Sequence, residues 1–365
     1  MLAVLSGGGT AGHITPALAL ADELKRRGWD VRFAGTPQGV EGKMAQDAGI
    51  PFTAFEAAGF NRNHPTTIFR ALWLIEKSTF AAKKWLSEIK PDVVVGFGGY
   101  VCIPVGRAAE KLGIPVVVHE QNSVMGMANK FLSKKAARVC LTYDHAASAV
   151  DDASKIVVTG NPVRTSVLEA TREQGRDYLG VPDDALVLLV TGGSLGARHL
   201  NQAISAMKDA LLAHENLYVV HVTGRKEYDS VAEALALTPE ETLRYLLFDY
   251  QDHMGECMAA ADAIVSRAGA SSLAEISARG IPALLVPFPY ATEDHQTINA
   301  QSLVEAGCAF MVPDAEVEGE QFASLVMKLV EDGGVRESMH AAALAQDTAG
   351  AAAALADEVE RAASI

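Results

Sequence analysis

Residues Ala261 to Ala300 read ADAIVSRAGASSLAEISARGIPALLVPFPYATEDHQTINA. Ala263 to Ser266 is an apolar run of strand length. Arg267-Ala268-Gly269-Ala270-Ser271-Ser272 is a small polar turn, with a hydroxyl where a helix N-cap belongs. Leu273 to Arg279 has helical spacing, Gly280 ends it, and Ile281 to Phe288 is a second apolar strand edged by prolines. The stretch is a βαβ unit, the building block of a parallel sheet. Its chemistry sits at its turns. Backbone N–H groups and the positive dipole end of a helix starting in Gly-Ala-Ser-Ser suit a diphosphate. Glu275, about one turn into that helix, can accept both hydroxyls of a ribose. The plainer alternative is a βαβ unit whose Glu275 is a solvated charge. Past the second strand, Asp294, His295, Gln296 and Asn299 are placed to read sugar hydroxyls.

The same alternation of strand and helix runs outward in both directions. Residues 1 to 163 show strands at Met1–Leu5, Val31–Ala34, Val93–Val95, Val116–Val118, Val139–Leu141 and Ile156–Val158. A glycine loop, Gly7 to His13, follows the first of them, and Thr15 and Pro16 read as the cap and first turn of the next helix. Gly-Ile-Pro recurs at Gly49, Gly113 and Gly280, marking a return from helix to strand each time. Gly160-Asn161-Pro162-Val163-Arg164 reads as a domain junction. After it the pattern restarts, with a strand at Leu186–Thr191, a second glycine loop at Gly192 to Gly196, and strands at Tyr218–Val222, Leu246–Tyr250, Ala263–Ser266 and Leu284–Val286. The expected fold is α/β: two Rossmann-like, doubly wound parallel sheets. An alanine-rich helix from about Thr348 to Ala363 closes the chain.

Composition narrows the function. A chain of 365 residues is long enough for two domains, and 49% hydrophobic with 21% charged residues is ordinary for a globular protein. A net charge of −14 argues against nucleic acid as a partner and requires any contact with anionic lipid to be local. The four cysteines are scattered without a C-x-x-C pair and read as buried thiols of a reducing compartment. No apolar run approaches the ~18 residues that span a bilayer. The opening Met1 to Leu5 reads as a strand rather than a signal peptide, so a cytoplasmic location is expected.

The first glycine loop satisfies G-x-G-x-x-G through Gly7, Gly9 and Gly12, a pattern associated with dinucleotides. The second strand, however, ends Phe33-Ala34-Gly35-Thr36 without an acid at its tip for a ribose, and His13 stands where a P-loop needs lysine. The loop brings backbone donors close to an anion or makes room for a bulky ligand. His13 is a candidate general base; the other reading is a histidine that hydrogen-bonds a loop carbonyl. His119-Glu120-Gln121-Asn122 puts four polar side chains at the carboxyl end of a strand, the edge where open α/β sheets bind ligands.

These motifs together resemble the MurG family of peptidoglycan glycosyltransferases. The resemblance rests on G-G-G-T-A-G-H (Gly7 to His13), G-F-G-G-Y (Gly96 to Tyr100), H-E-Q-N (His119 to Asn122), G-N-P-V-R (Gly160 to Arg164), G-G-S-L-G-A-R (Gly192 to Arg198) and S-R-A-G-A-S-S-L-A-E (Ser266 to Glu275), in order along essentially the whole chain. It implies a GT-B architecture, two such domains facing across a cleft: residues 1–163 on the acceptor and membrane side, and 164–343 holding UDP-GlcNAc. A final helix, 344–365, would pack back on the first domain. It also implies GlcNAc transfer with inversion from UDP-GlcNAc to the 4-hydroxyl of MurNAc in lipid I, giving lipid II and UDP. That reaction belongs to peptidoglycan and cell-wall biogenesis, cell shape and cell division. The implied partners are UDP-GlcNAc, lipid I, the inner face of the cell membrane and other proteins of cell-wall synthesis and division.

Residue by residue, the resemblance assigns Thr10, Ala11 and Gly12 to the acceptor-side loop. The base is His13 or, in competition, Glu120. Asn122 and Arg164 fall near the donor, and Ser194 at its diphosphate. Ala270, Ser271, Ser272, Leu273, Ala274 and Glu275 form the nucleotide-binding helix N-terminus, with Glu275 on the ribose. Gln296 reads GlcNAc hydroxyls, with Asn299 beside it. Gln251 takes the uracil position, where a relative carries an apolar residue; a backbone contact is compatible with that change. Ala11 replaces the usual glycine. The sequence has no Asp-x-Asp pair to hold a metal on the diphosphate, so neither metal nor cofactor is expected, and helix N-termini take that role.

Three other readings use the same features. A GT-B enzyme making glycolipids would differ at the acceptor loops. A UDP-GlcNAc 2-epimerase would need carboxylates around the sugar, and a nicotinamide-binding protein would need the missing ribose acid. For the membrane contact the candidate is Pro65 to Lys90, read as one helix with two apolar stripes. Ile68, Leu72, Ile75, Ala82, Leu86 and Ile89 are expected to pack on the sheet. Phe69, Trp73 and Phe80, with Lys77 and Lys84 in line and Arg70 and Lys83 beside them, suit a lipid interface. The plainer reading of this second stripe is a helix with aromatics in the core and solvated lysines.

Overall fold

The structure, a computed structural model, describes residues 1–57, 66–193 and 196–364. The chain divides into two compact units, residues 1–164 with 350–365, and residues 165–349. The first is built on seven parallel strands: β1 (Leu2–Ser6), β2 (Asp30–Gly35), β3 (Phe52–Ala54), β4 (Val93–Gly96), β5 (Val116–Glu120), β6 (Arg138–Leu141) and β7 (Ile156–Val158). Their order across the sheet is β3-β2-β1-β4-β5-β6-β7. The second has six: β8 (Leu186–Thr191), β9 (Leu217–Val222), β10 (Tyr245–Phe248), β11 (Ala263–Ser266), β12 (Ala283–Leu285) and β13 (Ala309–Met311), in the order β10-β9-β8-β11-β12-β13. Each sheet is therefore a doubly wound Rossmann sheet, with its winding reversed beside the first strand.

Continuous apolar strands are explained by burial on both faces. β4 and β5 are buried throughout, as βαβ crossovers demand. Each Gly-Ile-Pro does one job. Gly49, Gly113 and Gly280 stand at φ of +63°, +72° and +64°, a conformation that costs glycine little. The following isoleucine N–H then reaches back into the helix: Ile50 to Ala45 O at 2.8 Å, Ile114 to Ala109 O at 3.0 Å and Ile281 to Ile276 O at 3.0 Å. This closes the helix in a Schellman turn, and the proline prevents its continuation.

Several expectations are corrected. The first helix runs Ala11–Arg26, so Thr10 is its N-cap residue, while Thr15 and Pro16 lie inside it. The helix of the opening stretch runs Ala270–Arg279 from Gly269, which places Ser271 and Ser272 in the first turn rather than at the cap. A cap hydroxyl serves a helix end whose N–H groups lack acceptors; at both starts the cap side chain makes no such bond. The edge strands β3 and β13 were not expected: Phe-Thr-Ala and Ala-Phe-Met lack the β-branched apolar run that marks the equally short β7. The chain also returns to the first unit later than expected, with a helix at Ala351–Ala363; residues 344–349 stay with the second.

The returning helix completes the core of the first unit. Leu355, Ala356, Val359 and Ala362 are buried among Ala3, Leu5, Leu20, Leu24 and Val95. Arg27 fixes the register of this packing, donating to Asp357 Oδ1 at 2.7 Å, Glu360 Oε2 at 3.1 Å and Ala353 O at 3.1 Å. Glu358, buried on the same helix, is neutralised by Arg138 at 3.2 Å and by Arg361.

The helix Thr66–Ile89 has a different relation to the sheet. Its 24 residues span about 36 Å, roughly twice a five-residue strand, so part of it must leave the sheet. The described burial begins at Ser78: Ser78, Thr79, Ala82 and Leu86 are buried, whereas Leu72 is 55% exposed. The expectation that Leu72 packs on the sheet is thus corrected; the side chains of Ile68 and Phe69 lie outside the described part. On the same overhanging turns Trp73 is 63% exposed, and Phe80, on the outer side of the turn that buries Ser78 and Thr79, is 76% exposed, which removes the reading that places them in the core.

Truncating Leu355 to alanine should destabilise the first unit by about 2–5 kcal/mol, since a fully buried leucine leaves a cavity. Urea denaturation measures this; a loss of only a few tenths of a kcal/mol would show that the helix is not part of that core.

Candidate functional site

In a doubly wound sheet the loops on either side of the reversal splay apart at the carboxyl edge. In the first unit these are the loops after β1 and β4, and they interlock. A Cβ on Gly99 would lie 2.4 Å from Gly8 O, and one on Gly98 would lie 3.0 Å from His13 Cδ2 and Nε2. Only glycine allows this approach, which seats the imidazole against backbone. His13 Nδ1 stands 2.9 Å from Gly8 O. A carbonyl only accepts, so Nδ1 is the donor in this contact. The reading of His13 as a histidine that hydrogen-bonds a loop carbonyl is therefore met, and that bond orients the ring. Thr10 is exposed, with its hydroxyl 3.4 Å from Nδ1; Ala11 and the half-buried Gly12 open the helix.

The four polar residues ending β5 do not share one role. His119 is fully buried, its Nε2 3.0 Å from Gly160 O and its Nδ1 3.0 Å from Gln121 Nε2; desolvation pushes its pKa down to about 4. It is a neutral strut between β5 and the exit of β7. Glu120 is buried too. One oxygen accepts Asn122 N–H at 3.1 Å and Asn122 Nδ2 at 3.3 Å; the other accepts Gly126 N–H at 3.0 Å and Asn129 Nδ2 at 2.8 Å. A carboxylate so occupied on both oxygens organises the loop 121–126. Asn122, half-buried, is held by it, and Arg164 ends the first of the unit's two chain segments.

An acid does come to the tip of β2, by a route the motif search missed. Glu41 begins the helix after the turn and folds inward among Gly8, Gly35 and Gly39, fully buried. Its Oε1 accepts Thr36 N–H at 2.8 Å and Thr36 Oγ1 at 2.6 Å. It braces the floor of the first glycine loop and is closed to a ribose. The four cysteines are buried, and burial pushes Cys102 up to about 11 and Cys257 to about 12, so these thiols are inert.

In the second unit the reversal lies between β8 and β11. Gly192, Gly193 and Gly196 follow β8, and Ser194 lies outside the described residues. After β11 the chain enters the helix Ala270–Arg279, whose first backbone bond runs from Leu273 N–H to Gly269 O at 2.9 Å. Ala270, Leu273 and Ala274 are buried, and Ser271 and Ser272 half-buried. Glu275 is only 6% exposed, which excludes the solvated-charge reading. Gln251 is buried; its Oε1 accepts Tyr178 OH at 2.7 Å and His253 N–H at 3.1 Å, so its side-chain oxygen is committed within the protein. Gln296 Oε1 accepts Phe288 N–H at 2.9 Å, and Asn299 is fully buried one turn further on. Just ahead of them Glu293 and Asp294 hold φ of +54° and +52°. Two non-glycine residues in that region store on the order of 1–3 kcal/mol each, which marks the loop as shaped for use.

Beneath these loops lies a second buried histidine. His221 Nδ1 stands 2.9 Å from Tyr245 OH and Nε2 3.2 Å from Asn201 Oδ1, and Asn201 Nδ2 donates to Thr223 O at 2.9 Å. Desolvation pushes its pKa down to about 3. Among the described residues no group of three or more His, Cys, Asp and Glu side chains converges to hold a metal ion.

Two Rossmann sheets, each with a glycine loop at its reversal, and a buried acid behind a helix N-terminus in the second, define a GT-B glycosyltransferase. Residues 3–141 match the glycosyltransferase family 28 N-terminal domain and residues 187–356 its C-terminal domain. The chain is 39% identical to the UDP-N-acetylglucosamine--N-acetylmuramyl-(pentapeptide) pyrophosphoryl-undecaprenol N-acetylglucosamine transferase of Halothermothrix orenii, covering 91% of each chain. It is 40% identical to the protein of that name from Levilactobacillus brevis, over 99% of each. The crystal structure of Acinetobacter baumannii MurG superposes with a TM-score of 0.74 at 30% identity, over 99% of both chains. The chain belongs to glycosyltransferase family 28 and, within it, to the MurG family.

Both buried histidines lie far below the ordinary imidazole value of 6.5, so the unfolded chain protonates first as pH falls. Their contribution is complete above 6.5 and is lost as pH drops toward the folded values, at about 1.4 kcal/mol per pH unit for each group. Unfolding free energy followed by urea denaturation should fall below pH 6.5 in both units. His119→Gln should flatten the slope of the first; an unchanged slope would assign the loss to other groups.

Proposed function

We propose that this chain moves GlcNAc from UDP-GlcNAc to the 4-hydroxyl of MurNAc in lipid I, forming lipid II and releasing UDP with inversion at the anomeric carbon. The observation that carries this reading is the match, near 40% identity over more than nine-tenths of the chain, to relatives named for that transfer. The geometry supports it from both units. The second unit binds the donor: Glu275, buried behind the first turn of its helix, takes the ribose hydroxyls, and the N–H groups of Ala270, Ser271 and Ser272 meet the diphosphate. Ser194 serves the same diphosphate, Gln251 the uracil through its backbone, and Gln296 and Asn299 the sugar.

The first unit takes the acceptor on Thr10, Ala11 and Gly12, and its Asn122 and Arg164 serve the donor. His13 Nε2 accepts the proton of the 4-hydroxyl as its oxygen bonds the anomeric carbon; the bond from that carbon to the β-phosphate oxygen breaks, and the electron pair leaves on UDP. Fixed helix-end dipoles stabilise the charge gathering on the diphosphate. Glu120, with both oxygens engaged, holds the loop beneath the acceptor rather than taking the proton.

His13→Ala should lower turnover by about 10²–10⁴ with little change in the Michaelis constant for UDP-GlcNAc. Glu275→Ala should instead weaken UDP itself, by about 1.5–3 kcal/mol for each charge-assisted bond lost. Transfer of radiolabelled GlcNAc to a lipid I analogue, with calorimetry on UDP, separates the two. Turnover of UDP-GlcNAc without acceptor would favour an epimerase, and near-normal turnover in His13→Ala would remove it as the base.

The acceptor's polyprenyl chain stays in the bilayer, so the enzyme must come to it. Among the described residues no helix is long and apolar enough to cross a membrane. The overhanging end of the helix Thr66–Ile89 supports peripheral contact with the inner face. Leu72 and Trp73 are exposed there, Lys77 Nζ lies 5.4 Å from the Trp73 ring centroid, Arg70 is exposed beside them, and Phe80, Lys83 and Lys84 continue the exposed side along the helix. The Lys77–Glu56 pair at 2.8 Å is exposed and gives way readily to lipid phosphate. Each cation near an anionic surface adds about 1 kcal/mol, enough in sum for reversible binding. A Trp73→Ser/Lys77→Glu/Lys84→Glu variant should fail to sediment with anionic vesicles yet keep activity on a short-chain acceptor. Sedimentation like that of the wild type would place the membrane face elsewhere.

A further inference from the structure

Three exit loops of the second sheet and one helix are joined at a buried ion pair that no sequence motif signals. Arg267, just past β11, donates from Nη1 to Val286 O and to Pro287 O, each at 3.2 Å. Both carbonyls lie beyond the last residue of β12, where the ladder no longer satisfies them. The same Nη1 stands 2.6 Å from Asp314 Oδ1, an ion-pair distance off the line of a hydrogen bond. Asp314 follows β13, and its Oδ2 lies 2.7 Å from Nδ1 of His199, on the helix Arg198–Ala206. Arg267 and Asp314 are buried; His199 is exposed.

The chain of contacts continues to the sugar-reading residue. The Arg267 guanidinium lies 5.8 Å from the Phe288 ring centroid, and Phe288 N–H is the group that holds Gln296 Oε1. With Oε1 engaged, Gln296 presents its NH2 as the end that meets a hydroxyl. The segment between, with Glu293 and Asp294 at positive φ, is strained and keeps its shape only while tied from outside. Among the described residues Gln296–Phe288 is one tie, and Arg267 on Val286 and Pro287 is another, beside the bond from Val286 N–H to Ser266 O at 2.8 Å.

We propose that Asp314 is a positioning residue for donor-sugar selectivity, acting through Arg267 on the Val286–Phe288 segment from which Gln296 is held. The proposal rests on the donor reading above. Asp314 touches no substrate; its charge keeps the Arg267 guanidinium desolvated over the two carbonyls. Without that charge a buried guanidinium is uncompensated and withdraws toward water. The backbone of Arg267 stays in place, because Ser266 is held in register between Thr191 and Leu285. Glu275 sits on a helix anchored by its own buried residues, Leu273 and Ile276. Loss of Asp314 therefore loosens the sugar end of the donor site and leaves the nucleotide end intact.

The test is kinetics with UDP-GlcNAc and UDP-GalNAc, which differ only at the 4-hydroxyl, together with calorimetry on UDP. Asp314→Asn keeps the shape and removes the charge. Its preference for UDP-GlcNAc, as the ratio of kcat/KM values, should fall about 10-fold, mainly through KM for UDP-GlcNAc, with UDP affinity within about 2-fold of wild type. Asp314→Glu should restore part of the preference. If Asp314→Asn does not fold, Arg267→Lys carries the same test, because an ammonium keeps the pair with Asp314 but loses the planar fork over the carbonyls. An unchanged preference, or a parallel loss of UDP affinity, overturns the proposal. A wild-type enzyme with no preference between the two sugars overturns the donor reading itself.

Discussion

A parallel sheet can grow in both directions only if the chain reverses its winding once, and that reversal governs this molecule. Because each crossover is right-handed, strands added before and after the reversal carry their connections away on opposite faces. The two loops at the reversal are left without a crossover between them, and their backbones face open space at the carboxyl edge. Here the chain makes the reversal twice, between β1 and β4 and between β8 and β11. The first glycine loop, the Gly96–Tyr100 loop, the second glycine loop and the Arg267–Gly269 turn occupy those four positions. Both glycine loops lie there, where backbone groups are left facing the open edge of the sheet.

Holding those loops still requires polar groups beneath them, and both units bury some. In the first, His119, Glu120 and Glu41 brace the loops from below; in the second, His221, Asn201, Arg267 and Asp314 do so. Each is costly to bury unless nearly every donor and acceptor is matched, and most are. The imidazoles meet the requirement by staying neutral, and Glu120 by accepting four donors. Such networks specify one arrangement of a loop more strictly than apolar contacts do, because a small displacement leaves a polar atom without a partner. That suits loops whose task is to hold an imidazole nitrogen or a row of N–H groups in a set position.

The legible and illegible parts of the sequence divide along the range of the interactions concerned. Gly-Ile-Pro told of helix ends because the Schellman turn is local, contained within six residues. Strands buried on both faces stood out as valine runs such as Val93 to Val95. The three-residue edge strands β3 and β13 did not, since pairing with a neighbour, and not their own composition, makes them strands. Leu72 carries the right spacing for the core, yet its helix outruns the sheet, a fact of relative length that no helical wheel contains. Among the proposed site residues, Glu275 and Gln296 stand out in the sequence by their place after a strand. Glu41 and Asp314 could not: one lies past a turn and the other beyond the last strand of its sheet, and each acts on a loop distant in sequence. The resemblance supplied roles for motif residues and was silent on these two.

The late return of the chain to the first unit bears on how the protein is made. The helix Ala351–Ala363 fills the face of the first sheet beside Leu5, Leu20 and Val95, but it is translated only after the whole second unit. Until the whole second unit has been translated, the first sheet stands with that apolar face uncovered. At typical elongation rates of 5–20 residues per second the wait is on the order of 10–40 seconds. Folding of the two units is therefore not strictly sequential: the first half of the chain encodes a domain that only a segment made after the second unit can finish. During that interval the nascent chain presents the kind of surface that chaperones recognise.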